Sequence, residues 1–204
     1  HGRYLVMAGS LTAGEESILY ISATEVSGTW VGDSAPTDAV NVDLGSRVPS
    51  GSAAIKGLSR FRNKLMVYFE DALLPGTLGG FTESVHIPIF DDAIENVGTL
   101  SHRVIQNIGE DMFVADTSGI TNVKRALFTG NIQSERASQL IAPAYLDAVG
   151  KIGTIAALED RVWSLWDSQS NNYMVFFPDT DVAANITETR CFVYKKNSKL
   201  KIES

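Results

Sequence analysis

Apolar residues along this chain come in short runs that alternate with polar ones, and turn-forming residues separate the runs. Period-2 alternation over four to eight residues marks half-buried strands. Residues 3–8 and 17–22 read as a hairpin around the glycine-rich segment 9–14, and 40–44 (Val-Asn-Val-Asp-Leu) alternates cleanly. Residues 54–61 and 64–70 read as a strand pair joined at Arg62-Asn63, with Asn suited to the positive φ of a tight turn. Strands are expected at 73–78 and 85–90, where Pro88 implies an edge or a bulge. Residues 102–108 and 111–115 form a second hairpin about Gly109-Glu110, and 120–127 follow as a strand. Residues 152–158 and 161–166 suggest a third hairpin, turning at Glu159-Asp160. Strands at 173–177, 189–195 and 199–202 complete the pattern. One segment, 134–149, carries apolar residues at helical spacing, and Pro143 limits it to a kinked helix or two pieces.

Three stretches nearly repeat: Phe61-Arg-Asn-Lys-Leu-Met-Val-Tyr68, Ile108-Gly-Glu-Asp-Met-Phe-Val-Ala115 and Leu158-Glu-Asp-Arg-Val-Trp-Ser-Leu165. Their starts lie 47 and 50 positions apart. A repeat of that period with strand composition predicts an all-β fold of β-propeller-like blades, built from short antiparallel strands. The approximate units are 1–53, 54–100, 101–150 and 151–204, each expected to hold about four strands. That is at the lower limit of the roughly 4 to 8 blades of closed rings. The chain also starts and stops within strand-like sequence, so it is expected to be a fragment of a longer propeller-type domain. A repeated blade is an architectural unit, which puts a scaffold ahead of a catalyst.

Composition adjusts this picture in few places. The 204 residues are 44% apolar and 20% charged, an ordinary globular balance. The net charge of -7 argues against a protein that grips nucleic acid non-specifically, which needs a basic face. The single cysteine, Cys191, permits no internal disulfide and is expected on a strand as a small hydrophobe. No apolar run is long enough to span a bilayer as a helix, so stable membrane insertion is not expected.

The search for chemistry is mostly negative. There is no nucleophile-elbow motif and no phosphate-binding loop, and His1, His86 and His102 lack partners at metal-ligand spacing. No catalytic, cofactor-binding or metal residues are assigned, no cofactor is expected, and the chain is read as a non-enzyme. The acidic pairs Asp91-Asp92 and Asp179-Thr-Asp181 read as solvated loops. Two groups stand out. Lys56, Arg60, Arg62 and Lys64 form the one basic cluster, which reads either as a solvated blade edge or as a patch facing DNA or a subunit. Trp163 and Trp166, three apart on a strand, must point to opposite faces, one toward a core and the other toward an interface or a sugar.

A family resemblance is carried by Ile105-Gln-Asn-Ile-Gly-Glu-Asp-Met-Phe-Val-Ala-Asp-Thr-Ser-Gly-Ile120, by Leu127-Phe-Thr-Gly-Asn-Ile-Gln-Ser134 and by residues 138–148. Flanking support comes from residues 58–69 and from Phe192-Val-Tyr194 with its basic continuation. Over roughly residues 40–202 the chain resembles the tail nozzle proteins of short-tailed bacteriophages, also called tail tubular or DNA-stabilisation proteins. The resemblance implies a structural virion protein, assembled in the host cytoplasm and resident in the tail. It implies a homo-oligomer, a hexameric ring that extends the DNA channel below the portal and adaptor. Such a ring helps retain the genome and then lets it eject. Portal or adaptor, tail fibre or needle proteins, and double-stranded DNA in passage would be its partners. The alternative readings are a β-propeller glycan- or protein-binding module, or a propeller glycoside hydrolase or lyase.

Overall fold

The computed structural model describes residues 5–9, 12–22, 39–48, 54–77, 89–124, 141–181 and 186–195. The fold is all-β: the described residues form four small antiparallel sheets and two short α-helices that lie wholly within them. The chain divides into two compact units, His1–Thr99 and Leu100–Ser204.

In the first unit, β1 (Val6–Met7), β2 (Ile18–Ile21) and β3 (Val40–Asp43) form one sheet in sequence order. A second sheet runs β4 (Gly57–Phe61), β5 (Lys64–Tyr68), β6 (Ala72–Thr77), β7 (Ile89–Phe90), with β8 (Ile94–Glu95) also pairing with β6. The β4–β5 hairpin closes with Phe61 opposite Lys64, so Arg62 and Asn63 form a two-residue turn. The positive φ falls on Arg62 (55°) and not on Asn63, the reverse of the sequence expectation. The two sheets share a core of Leu19, Ile21, Leu44, Leu65, Val67, Phe69, Leu74 and their neighbours. Met66 and Tyr68, on the opposite side of β5 from Leu65 and Val67, are buried as well, which accounts for its unbroken apolar sequence. Gly98 passes directly over the β5–β6 turn. A Cβ there would lie 1.8 Å from the Glu70 carbonyl oxygen, so only glycine fits beside that backbone.

In the second unit, β9 (Gln106–Ile108), β10 (Asp111–Asp116) and β11 (Gly119–Asn122) form a three-stranded sheet. Its first turn places Gly109 at a φ of 62°, as that two-residue connection requires. Helices α1 (Ala142–Ile152) and α2 (Ile155–Arg161) follow. The last sheet is β12 (Trp163–Asp167), β13 (Asn172–Asp181) and β14 (Ile186–Lys195). A single core joins these parts: Ile108, Phe113, Ala115, Ile120, Tyr145, Ala148, Leu158, Tyr173, Val175 and Phe177, with Trp166, Phe192 and Tyr194 packed against it. Helix α1 is tied to β14 by Arg190, whose guanidinium donates to the Asp147 carboxylate at 2.5 Å.

Several expectations need correction. The third copy of the repeat is not a hairpin. Leu158 to Arg161 close helix α2, and the strand begins only at Trp163. Gly153, at a φ of 87°, ends α1, and Thr154 caps α2 by accepting from the Ala157 N–H at 3.2 Å. Arg62-Asn63 and Gly109-Glu110 form two-residue turns with positive φ at Arg62 and Gly109, whereas Glu159-Asp160 lies inside α2. Pro143 does not break the helix; it lies in the first turn of α1, where its missing N–H costs no bond. Helix α1 occupies the later part of the expected helix, α2 stands where a hairpin strand was expected, and residues 134–140 lie outside the described residues. Strand β14 pairs back onto β13, with Asn172 opposite Lys195, and the partner strand expected at 199–202 is outside the described residues. So is Pro88. Among the described residues three sheets have three strands and one has five, and no closed barrel or propeller ring is present.

Two outcomes follow from this packing. Gly98→Ala must displace the Glu70–Asp71 backbone and should cost about 2–4 kcal/mol in chemical denaturation, in the upper part of the range for overpacking. Asp147 is held below the usual carboxylate range by the Arg190 hydrogen bond, with Lys151 adding to it. A depressed folded-state pKa contributes stability that is complete above the unfolded value of about 4 and is lost as the pH falls through the folded value. Asp147→Asn should therefore lower the denaturation midpoint at pH 7, and the gap to the parent protein should close below about pH 4.

Candidate functional site

The basic cluster read from the sequence is dispersed. Lys56 lies just before β4 and is half-buried. Arg60 is exposed on β4, opposite Leu65, at an edge of its sheet. Arg62 sits in the turn with its guanidinium 5.5 Å from the centre of the Phe61 ring. Lys64 alternates to the opposite face from Arg60 and forms an ion pair with Asp91. The four cations thus do not converge on one surface. Charges placed along an edge strand protect it from pairing with other chains.

The two tryptophans part company as the alternation of a strand requires. Trp166 points inward and packs on the core of the second unit. Trp163 points outward and is 42% exposed. Around it lies an apolar surface. Register places Trp163, Phe176 and Cys191 in one row across β12, β13 and β14, and Leu165, Met174 and Val193 in the next. The Trp163 and Phe176 rings are stacked, with centroids 4.0 Å apart and planes within 11°. Leu165 and Val193 are 47% and 52% exposed. A third row, Asp167, Asn172 and Lys195, closes this patch with polar groups.

The inner face of the same sheet is fixed by polar contacts as well as by packing. The Tyr173 hydroxyl donates to the Val104 carbonyl at 2.7 Å, and burial pushes its pKa well above the usual phenol range. The Ser164 hydroxyl donates to the Arg103 carbonyl at 3.0 Å and accepts from Gln106 Nε2 at 3.2 Å. The sheet is therefore anchored to the β9–β11 layer, and its outer surface is rigidly presented.

Electrostatics give the site little reactivity. The Ser170 hydroxyl and the Gln169 N–H hydrogen-bond to Asp167 and hold its carboxyl below the usual range, so the group is ionised and caps the β12–β13 turn. Desolvation raises the Cys191 thiol, which disfavours the nucleophilic thiolate. Among the described residues, no group of three or more His, Cys, Asp or Glu is placed to hold a metal ion. No helix among them is long and apolar enough to cross a membrane. The surface combines a central aromatic pair, aliphatic neighbours and a polar row at one end.

Sequence reasoning found Trp163 but missed Leu165, Met174, Phe176 and Val193 as its companions. The signal was present in Tyr173-Met-Val-Phe-Phe177, a continuous apolar run, which marks a strand apolar on both faces.

No protein-family model matches the chain, and no curated protein matches it.

The division between the two faces predicts unequal costs. Trp166→Ala should lose about 3 kcal/mol of stability in urea denaturation, at the lower end for a packed tryptophan. Leu165→Ser should lose less than about 1 kcal/mol and should reduce binding of a hydrophobic dye to the folded protein.

Proposed function

We propose that this chain is a structural assembly protein, part of the tail nozzle of a short-tailed phage, and that it works by docking and not by catalysis. The observation that carries the docking reading is the apolar outer face of β12–β14, presented by a sheet whose other face is locked into a core. A monomeric protein that exposes a contiguous apolar patch of this kind keeps it for a partner. The placement in a phage tail rests on the resemblance of residues 105–134 and 138–148, and the ring around passing DNA comes with it. The net charge of -7 and the scattered cations suit a conduit, because tight phosphate contacts would slow the genome's passage. The protein–protein reading is favoured over sugar binding by the patch itself. Phe176 already covers one face of the Trp163 indole, and the neighbours Leu165, Met174 and Val193 have no groups to hydrogen-bond sugar hydroxyls.

Gold-labelled antibody raised against the β12–β13 hairpin should mark the tails of short-tailed particles produced by cells that express this chain, and electron micrographs of the isolated parent protein should show rings. Particles that carry no label would overturn the virion assignment.

A further inference from the structure

The outer face of β12–β14 has a symmetry that identifies its partner. We propose that this face pairs with the same face of a second copy of the chain, across a two-fold axis that runs parallel to the strands and over β13. The inference rests on the docking reading of the face, and not on its place in a phage tail.

The argument starts from the grid. Three strands about 4.8 Å apart carry three rows about 6.8 Å apart. Asp167 ends the third row on β12 and Lys195 ends it on β14, one strand to either side of Asn172. Two sheets stacked face to face admit two kinds of in-plane two-fold axis. An axis across the strands over the Leu165 row would lay the Trp163 row on the Asp167 row, burying a carboxylate against an indole, which is costly, and one between the two apolar rows would set Lys195 over Thr189, with no carboxylate to meet it. An axis along β13 keeps each row on itself and exchanges the flanking strands. Asp167 then lies over Lys195 of the second copy, and Lys195 over Asp167 of the second copy. The same operation sets Trp163 over Cys191 and Leu165 over Val193 at the flanks, while Phe176 and Met174 of β13 each meet their own copy near the axis. Charge is complementary under this one operation. Contacts of this kind are isologous, each patch being its own partner.

The three rows offer nine side chains, against the roughly 20–30 residues a side of standard stable interfaces, so the pair is weak, with dissociation on the order of micromolar or weaker. A two-fold contact joins copies only in pairs. A ring would need a second, head-to-tail contact in addition.

Sedimentation equilibrium of the full chain, from low micromolar to about 0.5 mM, should show a reversible monomer–dimer equilibrium. Leu165→Lys should weaken it at least tenfold. Lys195→Glu sets like charges against each other at both ends and should weaken it roughly three- to thirtyfold in low salt, with the loss shrinking as salt is added. Asp167→Asn keeps an oxygen for the turn and should weaken it by less than the Lys195 reversal does. Circular dichroism of each variant checks that the fold is retained. A folded chain that stays monomeric over the whole range overturns the pairing while leaving docking to another protein intact. A dimer that Leu165→Lys and Lys195→Glu leave unchanged overturns it too, since the contact would then lie elsewhere.

Discussion

A tyrosine hydroxyl carried into an apolar core must find an acceptor there, and in the second unit two of them do so at backbone carbonyls. Tyr145 of α1 donates to the Asp116 carbonyl at 2.7 Å, at the start of the β10–β11 turn. Tyr173 of β13 donates to the Val104 carbonyl at the same distance. Each bond avoids the penalty of about 1–3 kcal/mol for an unsatisfied buried polar group. Each also fixes one layer against another, since a carbonyl offers its lone pairs in only a few directions. The rings attached to these hydroxyls fill the space between: Tyr173 stacks with Phe113 at 5.6 Å, and Tyr145 meets Phe177 edge to face at 5.1 Å. Helix, first sheet and second sheet are thereby pinned together in this unit. The outer face of β12–β14 inherits that rigidity, which lowers the ordering cost of any association.

That outer face is apolar where a lone antiparallel sheet would be polar. Alternation along β13 gives Tyr173, Val175 and Phe177 to the core, but it gives Met174 and Phe176 to the outside. An all-apolar strand is the rule when both faces of a sheet are covered. The row of Asp167, Asn172 and Lys195 bounds the patch at one end with charged groups. Association driven by apolar area alone has little orientational preference. One charged row at one end supplies a direction, because unlike charges must be brought together and like charges kept apart.

Much of the strand pattern was legible in the sequence, because period-2 alternation and turn residues act locally. The hairpins at Arg62-Asn63 and at Gly109-Glu110 formed as read, although Arg62 took the positive φ assigned to Asn63. The third repeat misled for an equally physical reason. Its octet resembles the other two in charge and apolar order, yet the preceding Gly153-Thr154 supplies a helix stop and a helix cap in succession, and Ile155-Ala-Ala-Leu158 propagates the helix. Local capping overrode the similarity of pattern. Pro143 was misread because position within the helix decides its effect, and the helix start was not marked by a capping side chain. The basic cluster failed to converge for another reason. Adjacency in sequence across a hairpin turn does not give adjacency in space when alternation sends Arg60 and Lys64 to opposite faces.

The candidate site was half legible. The spacing of Trp163 and Trp166 guarantees that one faces outward, but which one does depends on the strand's register with β13, which no local pattern fixes. The companions of Trp163 on two further strands lie 11 to 30 positions away along the chain, and meet it only through pairing. Their chemistry limits what the surface can do. Leu165, Met174 and Val193 cannot transfer protons or hold a cation, and the desolvated Cys191 thiol is a poor nucleophile. What remains to such a surface is the removal of apolar area from water, worth about 25 cal/mol per Å² before the costs of association are met. A face of this composition on a pinned sheet therefore favours contact with another apolar surface, and the single charged row would orient any such contact.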